Sequence, residues 1–366
     1  MFTESDSLCR NSFIKVSLVA CALLVLPLLS ISALAEQNSA DGRRFGGNNN
    51  NHGGKFCSKT AGLQFAACRN EVEDDYLTAS AICIQISDTA ERNECFDDAG
   101  DSRKEGKNEC RDQLDARKEL CDAIGEDRYD PDFEPDSFDD DFTNLTNPNP
   151  YYPLMIGNEW NYESEDEVNT VIVLSDTKLI EGVTCIVVND LVENVDDGSM
   201  EDTNDWIAMR EDGTVIYCGE ESKDFEIFPG DMPQLPELVS IDGSFKVGRD
   251  GDLPGTLFLA PPIVGETYRQ EFSAGNAEDA ATVLSTTWSF GNGEGLDDYV
   301  PNDLADTLCL PNSDCVVTLE YTPIEPDVFE RKYYAKGIGL FLEVNPETGD
   351  VNQLVSCNFG GKCNDL

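Results

Sequence analysis

Histidine is almost missing from this chain: His52 is the only one in 366 residues. That deficit excludes a Ser-His-Asp or Cys-His catalytic unit and a His-Glu-x-x-His zinc site, because each needs an imidazole poised beside a second group. Positive charge is scarce too. Lysine and arginine total 25 against 72 acidic residues, a net charge of −47. The chain therefore has no basic face with which to neutralise nucleic-acid phosphates or an anionic membrane. No Cys-x-x-Cys, Gly-x-Ser-x-Gly or Gly-x-x-x-x-Gly-Lys-Ser/Thr occurs. This removes thioredoxin-like redox chemistry, the hydrolase nucleophile elbow and P-loop nucleotide binding. A glycosidase-like carboxylate pair stays possible, but among 72 acids such a pair carries little information.

A long apolar run occurs in one place only. Arg10 and Lys15 precede Val16–Leu29, and Ser32-Ala33-Leu34-Ala35 follows, with small residues where a signal peptidase inspects the chain. Residues 1–35 read as a signal peptide cut before Glu36. The mature chain is then addressed to the periplasm or the outside, with no transmembrane anchor. Leu18-Val19-Ala20-Cys21 resembles a lipoprotein box, but Lys15 lies too close upstream and the apolar run continues past Cys21, which argues against a lipid anchor there. Residues 36–55 surround His52 with Gly46-Gly47, Asn48 to Asn51 and Gly53-Gly54. Such a run buries nothing and reads as a flexible tether in which a lone histidine has no catalytic role.

Cysteine is what the chain has in plenty. Cys9 and Cys21 fall in the signal, and the mature chain keeps twelve, an even number. In an exported protein that composition means disulfides before metals or reactive thiols. Six of them, Cys57, Cys68, Cys83, Cys95, Cys110 and Cys121, are separated by 11, 15, 12, 15 and 11 residues, a palindrome. Residues 56–124 are rich in Ala, Glu, Asp, Arg and Leu and contain no Pro. At about 100° per residue, steps of 11 and 15 advance only about 20° and about 60° past whole turns. The three cysteines of each half therefore share one stripe of a helix. Folding back near Thr89 brings each cysteine onto its mirror image: Cys83–Cys95, Cys68–Cys110 and Cys57–Cys121. Asp88-Thr89-Ala90-Glu91 has the form of a capping box for the second helix. Candidates for the rest of the stripe are Ala61, Phe65, Tyr76, Ala79, Ile82, Phe96, Leu114 and Leu120. So little apolar area would be marginal without the bridges.

Residues 125–150 read as an acidic linker. Asp130, Asp132 and Asp136, in Asp130-Pro131-Asp132-Phe133-Glu134-Pro135-Asp136, are candidate calcium ligands because calcium wants clustered carboxylates. An EF-hand would need Gly at the sixth position and Glu at the twelfth, where this chain has Pro135 and Asp141. Calcium is thus the one cofactor to consider.

Residues 151–366 read as strands between turn signals: Thr170–Leu174, Val183–Val188, Trp206–Met209, Thr214–Cys218, Thr256–Leu259, Thr282–Phe290, Val316–Tyr321, Val328–Ala335, Ile338–Val344 and Val351–Cys357. Glu211-Asp212-Gly213 and Asn345-Pro346-Glu347-Thr348-Gly349 join neighbouring runs as turns. No helix-length segment separates the strands, so the fold class is α+β: a disulfide-laddered antiparallel αα-hairpin followed by a mainly antiparallel β domain. Cys185 and Cys218 lie in strands that are candidate neighbours, and Cys309–Cys315 and Cys357–Cys363 each close a short loop. Trp160, Tyr162, Trp206, Trp288, Tyr333 and Tyr334 fall in strands, where they pack a core or line an apolar cavity. Gly337 and Gly339 mark a bend or a close strand contact.

The β domain opens with Asn149-Pro150-Tyr151-Tyr152-Pro153-Leu154, Gly157, Trp160 and Tyr162, and nears its end with Glu330-Arg331-Lys332-Tyr333-Tyr334-Ala335-Lys336-Gly337-Ile338-Gly339. Over about 210 residues this resembles uncharacterised bacterial exported proteins and lipoproteins that open with Tyr-aromatic-Pro-Leu, Gly and Trp-x-Tyr and close with aromatic-Tyr-Ala-x-Gly-Val/Ile-Gly. The resemblance implies a strongly curved antiparallel sheet or open barrel, as in lipoprotein carriers, and brings no catalytic residues. The expectation is a non-enzymatic envelope or extracellular protein with a ligand-binding or structural role and a protein or apolar partner. Alternatives are a carrier of hydrophobic ligands, a calcium-dependent surface protein and a carboxylate-based hydrolase.

Overall fold

The computed structural model describes residues 54–366. The signal peptide, Cys21, His52 and nearly all of the tether lie outside the described residues.

Helix α1 (Phe56–Cys83) and helix α2 (Thr89–Ile124) form the hairpin. The Asp88 carboxylate accepts from the Ala90 and Glu91 backbone N–H groups and starts α2, satisfying donors that have no intrahelical partner. Gly125, at φ 93°, ends it. The three nested bridges form as the palindrome requires, with Cα–Cα distances of 5.6, 5.8 and 5.6 Å. Ala61, Ala79 and Leu120 are buried along the stripe, but Ile82 is 52% exposed, a correction to its expected place there. It lies in the last turn of α1, directly before Cys83.

The remainder is one antiparallel sheet. Its strands are β1 (Glu159–Glu163), β2 (Glu167–Ile180), β3 (Val183–Asn194), β4 (Met200–Met209), β5 (Val215–Glu221), β6 (Asp224–Glu226), β7 (Glu237–Ser240), β8 (Gly255–Phe258), β9 (Thr267–Arg269), β10 (Ala280–Trp288), β11 (Cys315–Thr322), β12 (Glu325–Ala335), β13 (Gly339–Val344) and β14 (Val351–Cys357). The order is β7-β6-β4-β3-β2-β1-β14-β13-β12-β11-β10-β9, with β5 also on β4 and β8 on β5. The sheet is not closed; Leu253 and Phe272, just outside β8 and β9, make a single backbone bridge. Register shifts in β2, β4, β10 and β12 bend it, as bulges do. The shift in β4 faces Gly219 (φ 128°), where an added Cβ would lie 2.3 Å from the Phe245 carbonyl oxygen, so glycine alone fits.

All ten expected runs overlap strands, with Thr214, Leu259, Ser289, Phe290 and Ile338 falling just outside them. The structure adds short β1, β6, β7 and β9, and an eight-residue helix α3 (Asn302–Cys309) between β10 and β11, where no helix was expected. Ala305, Leu308 and Cys309 of α3 are buried in the main core. The other three disulfides join Cys185–Cys218, Cys309–Cys315 and Cys357–Cys363.

The two motifs that carry the resemblance meet. Trp160 Nε1 donates to the Ile338 carbonyl at 2.7 Å and Tyr162 Oη to that of Leu340 at 3.0 Å. Gly337 N–H donates to the Pro150 carbonyl at 2.6 Å.

Part of the acidic linker is packed. Phe138 is buried with Cys185, Trp206 and Cys218 in a second apolar cluster, and Tyr129 Oη donates to the Pro254 carbonyl at 2.7 Å. Phe133 and Phe138 supply enough apolar surface to hold this acidic stretch on the sheet. The hairpin is bolted on as well. Arg117 Nε lies 2.6 Å from Glu278 Oε2, both side chains about 5% exposed, and Gln113 Nε2 donates to the Ile324 carbonyl at 2.8 Å.

Candidate functional site

Side chains alternate along a strand, so every second residue shares a face. In β3 the row Ile186, Val188, Asp190, Val192 begins in the main core and ends in a cavity wall. In β4, Met209 and Ile207 are core, whereas Asp205, Thr203 and Glu201 line the cavity. In β12, Tyr334 belongs to the core and also lines the cavity beside Lys332. The same inward face is thus apolar at one end and acidic at the other.

The cavity has two chambers that share Tyr152, Asp190, Asp205, Gln270, Glu320 and Lys332 among their walls. The first, about 200 Å³, is walled by Trp160, Tyr162, Tyr334, Val171, Val173 and Val188, with Asn169, Glu343 and Asn352. The second, about 250 Å³, is walled by Glu201, Tyr217, Glu220, Glu271 and Asp279. Together they present eight carboxyl groups (Asp190, Glu201, Asp205, Glu220, Glu271, Asp279, Glu320, Glu343) and one base, Lys332.

Lys332 is already spoken for. Its Nζ lies 3.0 Å from Glu343 Oε1 and 3.3 Å from Glu320 Oε2. Glu320 Oε1 also accepts from Tyr334 Oη and Thr318 Oγ1, each at 2.9 Å. Burial opposes the Lys332 charge, but Glu343, Glu320 and Glu330 outweigh it and hold the amine well above its ordinary range. Burial likewise pushes Glu343 up; Lys332 and the Asn352 amide reverse this and hold it low.

The other cavity acids form no ion pair among the described residues, and of those with a shifted pKa only Asp279 feels the Lys332 charge. Asp205 and Glu220 face each other across the β4–β5 ladder, an arrangement of like charges that is unfavourable by itself. The Tyr217 hydroxyl hydrogen-bonds to both, 2.8 Å from Glu220 Oε2. Burial, then the Asp205 charge, pushes Asp190 up to about 8, with an opposing hydrogen bond from Asn169. Burial pushes Asp205 up to about 6 against its hydrogen bond from Tyr217. Glu220 and Glu271 are pushed well above their usual range, first by burial and then by neighbouring carboxylates. Burial raises Asp279 too.

Two amides stand in the walls. Gln270 is 6% exposed and borders both chambers. Asn169 Oδ1 is fully buried and unpartnered, while its Nδ2 donates to Asp190 Oδ1 at 2.8 Å.

Trp160, Tyr162 and Tyr334, of the six aromatic candidates, line this cavity. Trp288 and Tyr333 pack on each other in the core, with ring centroids 4.8 Å apart. Trp206 sits in the second cluster beneath the Lys178 ammonium. The calcium candidates Asp130, Asp132 and Asp136 are exposed, and Asp132 pairs with Arg210 at 3.4 Å. Among the described residues no group of three or more His, Cys, Asp or Glu side chains is arranged to hold a metal ion. Alternation tells which residues share a face but not whether a polar row meets solvent or a cavity, so the acidic wall is not legible in the sequence. The available signal was the placement of Asp190 and Asp205 in alternation with apolar residues two positions away; Glu220 carries none, because the irregularity at Gly219 puts it on the face of Tyr217 and not of Cys218.

Comparison with family models, with curated proteins and with solved structures finds no match for this chain. The six disulfides among the described residues belong to a protein of an oxidising compartment outside the cytosol. No described helix is long and apolar enough to cross a membrane.

Proposed function

We propose that this is an exported binding protein whose curved sheet holds a small organic cation in the acid-walled cavity. One observation carries the reading: eight carboxyl groups face the cavity, and the single lysine among them is neutralised by Glu320 and Glu343. A cation entering the second chamber stabilises the ionised form of Asp205, Glu220 and Glu271, which burial otherwise opposes. An ammonium group suits the site better than a bare metal ion, which needs several oxygen ligands converging on one point. The signal-like residues 1–35 and the disulfides support export. The resemblance to exported bacterial proteins supports it too, and its two motifs frame the first chamber through Trp160 and Gly339. The amount of acid in the walls counts against a purely apolar ligand, the carrier alternative.

The test is calorimetric titration of the oxidised mature protein with protonated amines at pH 7.5, alongside native mass spectra of the protein as exported. Binding of amines that weakens as the pH falls through 6 supports the reading. Failure of every amine to bind overturns it.

A further inference from the structure

We infer that the ligand is an aryl-alkyl amine: one ammonium group among the carboxyls of the second chamber, on an aromatic body held in the first. This rests on the cation-binding reading and deepens it. The two chambers differ in chemistry although they share wall residues. One end offers Trp160, Tyr162 and Tyr334; the other offers Asp205, Glu220 and Glu271, with no free base. A polyamine would place a second ammonium against the aromatic end, where Lys332 already pairs with Glu320 and Glu343 and the remaining carboxyls, Asp190 and Asp205, are shared with the second chamber. A fatty chain would bring no charge to the acidic end and has little room. The first chamber is about 200 Å³, and an apolar cavity of roughly 150 Å³ takes one benzene ring. Aromatic walls favour a flat ring by offset or edge-to-face contact.

Gln270 supports the same placement independently of the acids. It is 94% buried and borders both chambers. The amide lines both chambers, and an ammonium at their junction would donate to its carbonyl oxygen.

Four probes separate the possibilities at pH 7.5 on the oxidised mature protein: phenethylamine, methylamine, phenethyl alcohol and spermidine. Phenethylamine is expected to bind at least tenfold tighter than methylamine, which lacks the ring, and than phenethyl alcohol, which lacks the charge. Spermidine binding tighter than phenethylamine overturns the aryl-amine inference and leaves the cationic cavity standing. Phenethyl alcohol binding as tightly as the amine overturns both. No binding by either amine or by spermidine overturns the cationic reading itself. Gln270→Met keeps the volume and removes the amide. It is expected to melt no lower than the parent while weakening phenethylamine about tenfold. Unchanged affinity in a well-folded Gln270→Met would remove Gln270 from the site and with it the independent support for the inference.

Discussion

Lys332 faces Glu343 across the β12–β13 ladder, with Nζ 3.0 Å from Oε1, and Glu343 in turn accepts from Asn352 Nδ2 at 2.9 Å on β14. Three adjacent strands are thereby tied through one carboxylate inside the curve of the sheet. Lys332→Met should cost about 3 kcal/mol at pH 7.5, because it leaves Glu320 and Glu343 without their counter-charge. Without Lys332, burial is opposed only by the weaker Asn352 hydrogen bond, and the folded-state pKa of Glu343 rises above the unfolded one. The loss should therefore shrink as the pH falls through the carboxylate range. Urea unfolding at pH 7.5 and pH 4.5 checks this; an equal loss at both would assign the effect to packing.

The empty protein should become less stable as the pH rises. Asp190, raised to about 8, Asp205, raised to about 6, and Glu330, raised to about 7 first by burial and then by Glu343, all sit above the ordinary carboxyl value near about 4. Their contribution is fully present below the unfolded value and is lost as the pH climbs through the folded ones, a window from about pH 4 to about pH 8. Melting temperatures of the oxidised protein across that window should fall, and Asp190→Asn should raise the melting temperature at pH 8. A flat profile would mean that the cavity acids are ionised at little cost. Amine binding at pH 7 should also release protons, seen as a dependence of the calorimetric heat on the buffer's ionisation enthalpy.

Arg117 and Glu278 form the most enclosed ion pair joining the hairpin to the sheet. Glu278 Oε1 also accepts from Gly275 N–H at 2.7 Å. Breaking the pair with Arg117→Met should cost about 3–5 kcal/mol, whereas Arg117→Met with Glu278→Met together should recover most of it, since removing both charges removes the desolvation penalty. A double-mutant cycle with no coupling would show that the hairpin is held by its other contacts.

Calcium should leave the melting temperature unchanged. Asp130, Asp132 and Asp136 are exposed, and Asp132 already holds Arg210. Melts with a millimolar excess of calcium and with a chelator should superimpose; a rise with calcium would restore these residues as a site.

The hairpin was legible in the amino-acid order because helix geometry is local. Spacings of 11 and 15 put three cysteines on one stripe of each helix, and the palindrome left one nesting that satisfies them all. Most strands were legible for the same reason: apolar residues recurring at every second position need only their neighbours in the chain. Short β6, β7 and β9 were not, since three or four residues carry too little pattern, and helix α3 was masked by its brevity. The cavity was decided by the tertiary structure alone. Asp190, Asp205 and Glu220 come from the consecutive strands β3, β4 and β5 and Glu320 from the distant β11, and polar positions in a strand fit a solvated outer face as well as an inner one. Register shifts and the close approach at Gly219 curve the sheet, and that curvature turns these carboxyls inward around a lysine already claimed by two of them. Charge pattern alone carries no sign of curvature, so the residues were visible in the chain but the enclosure was not.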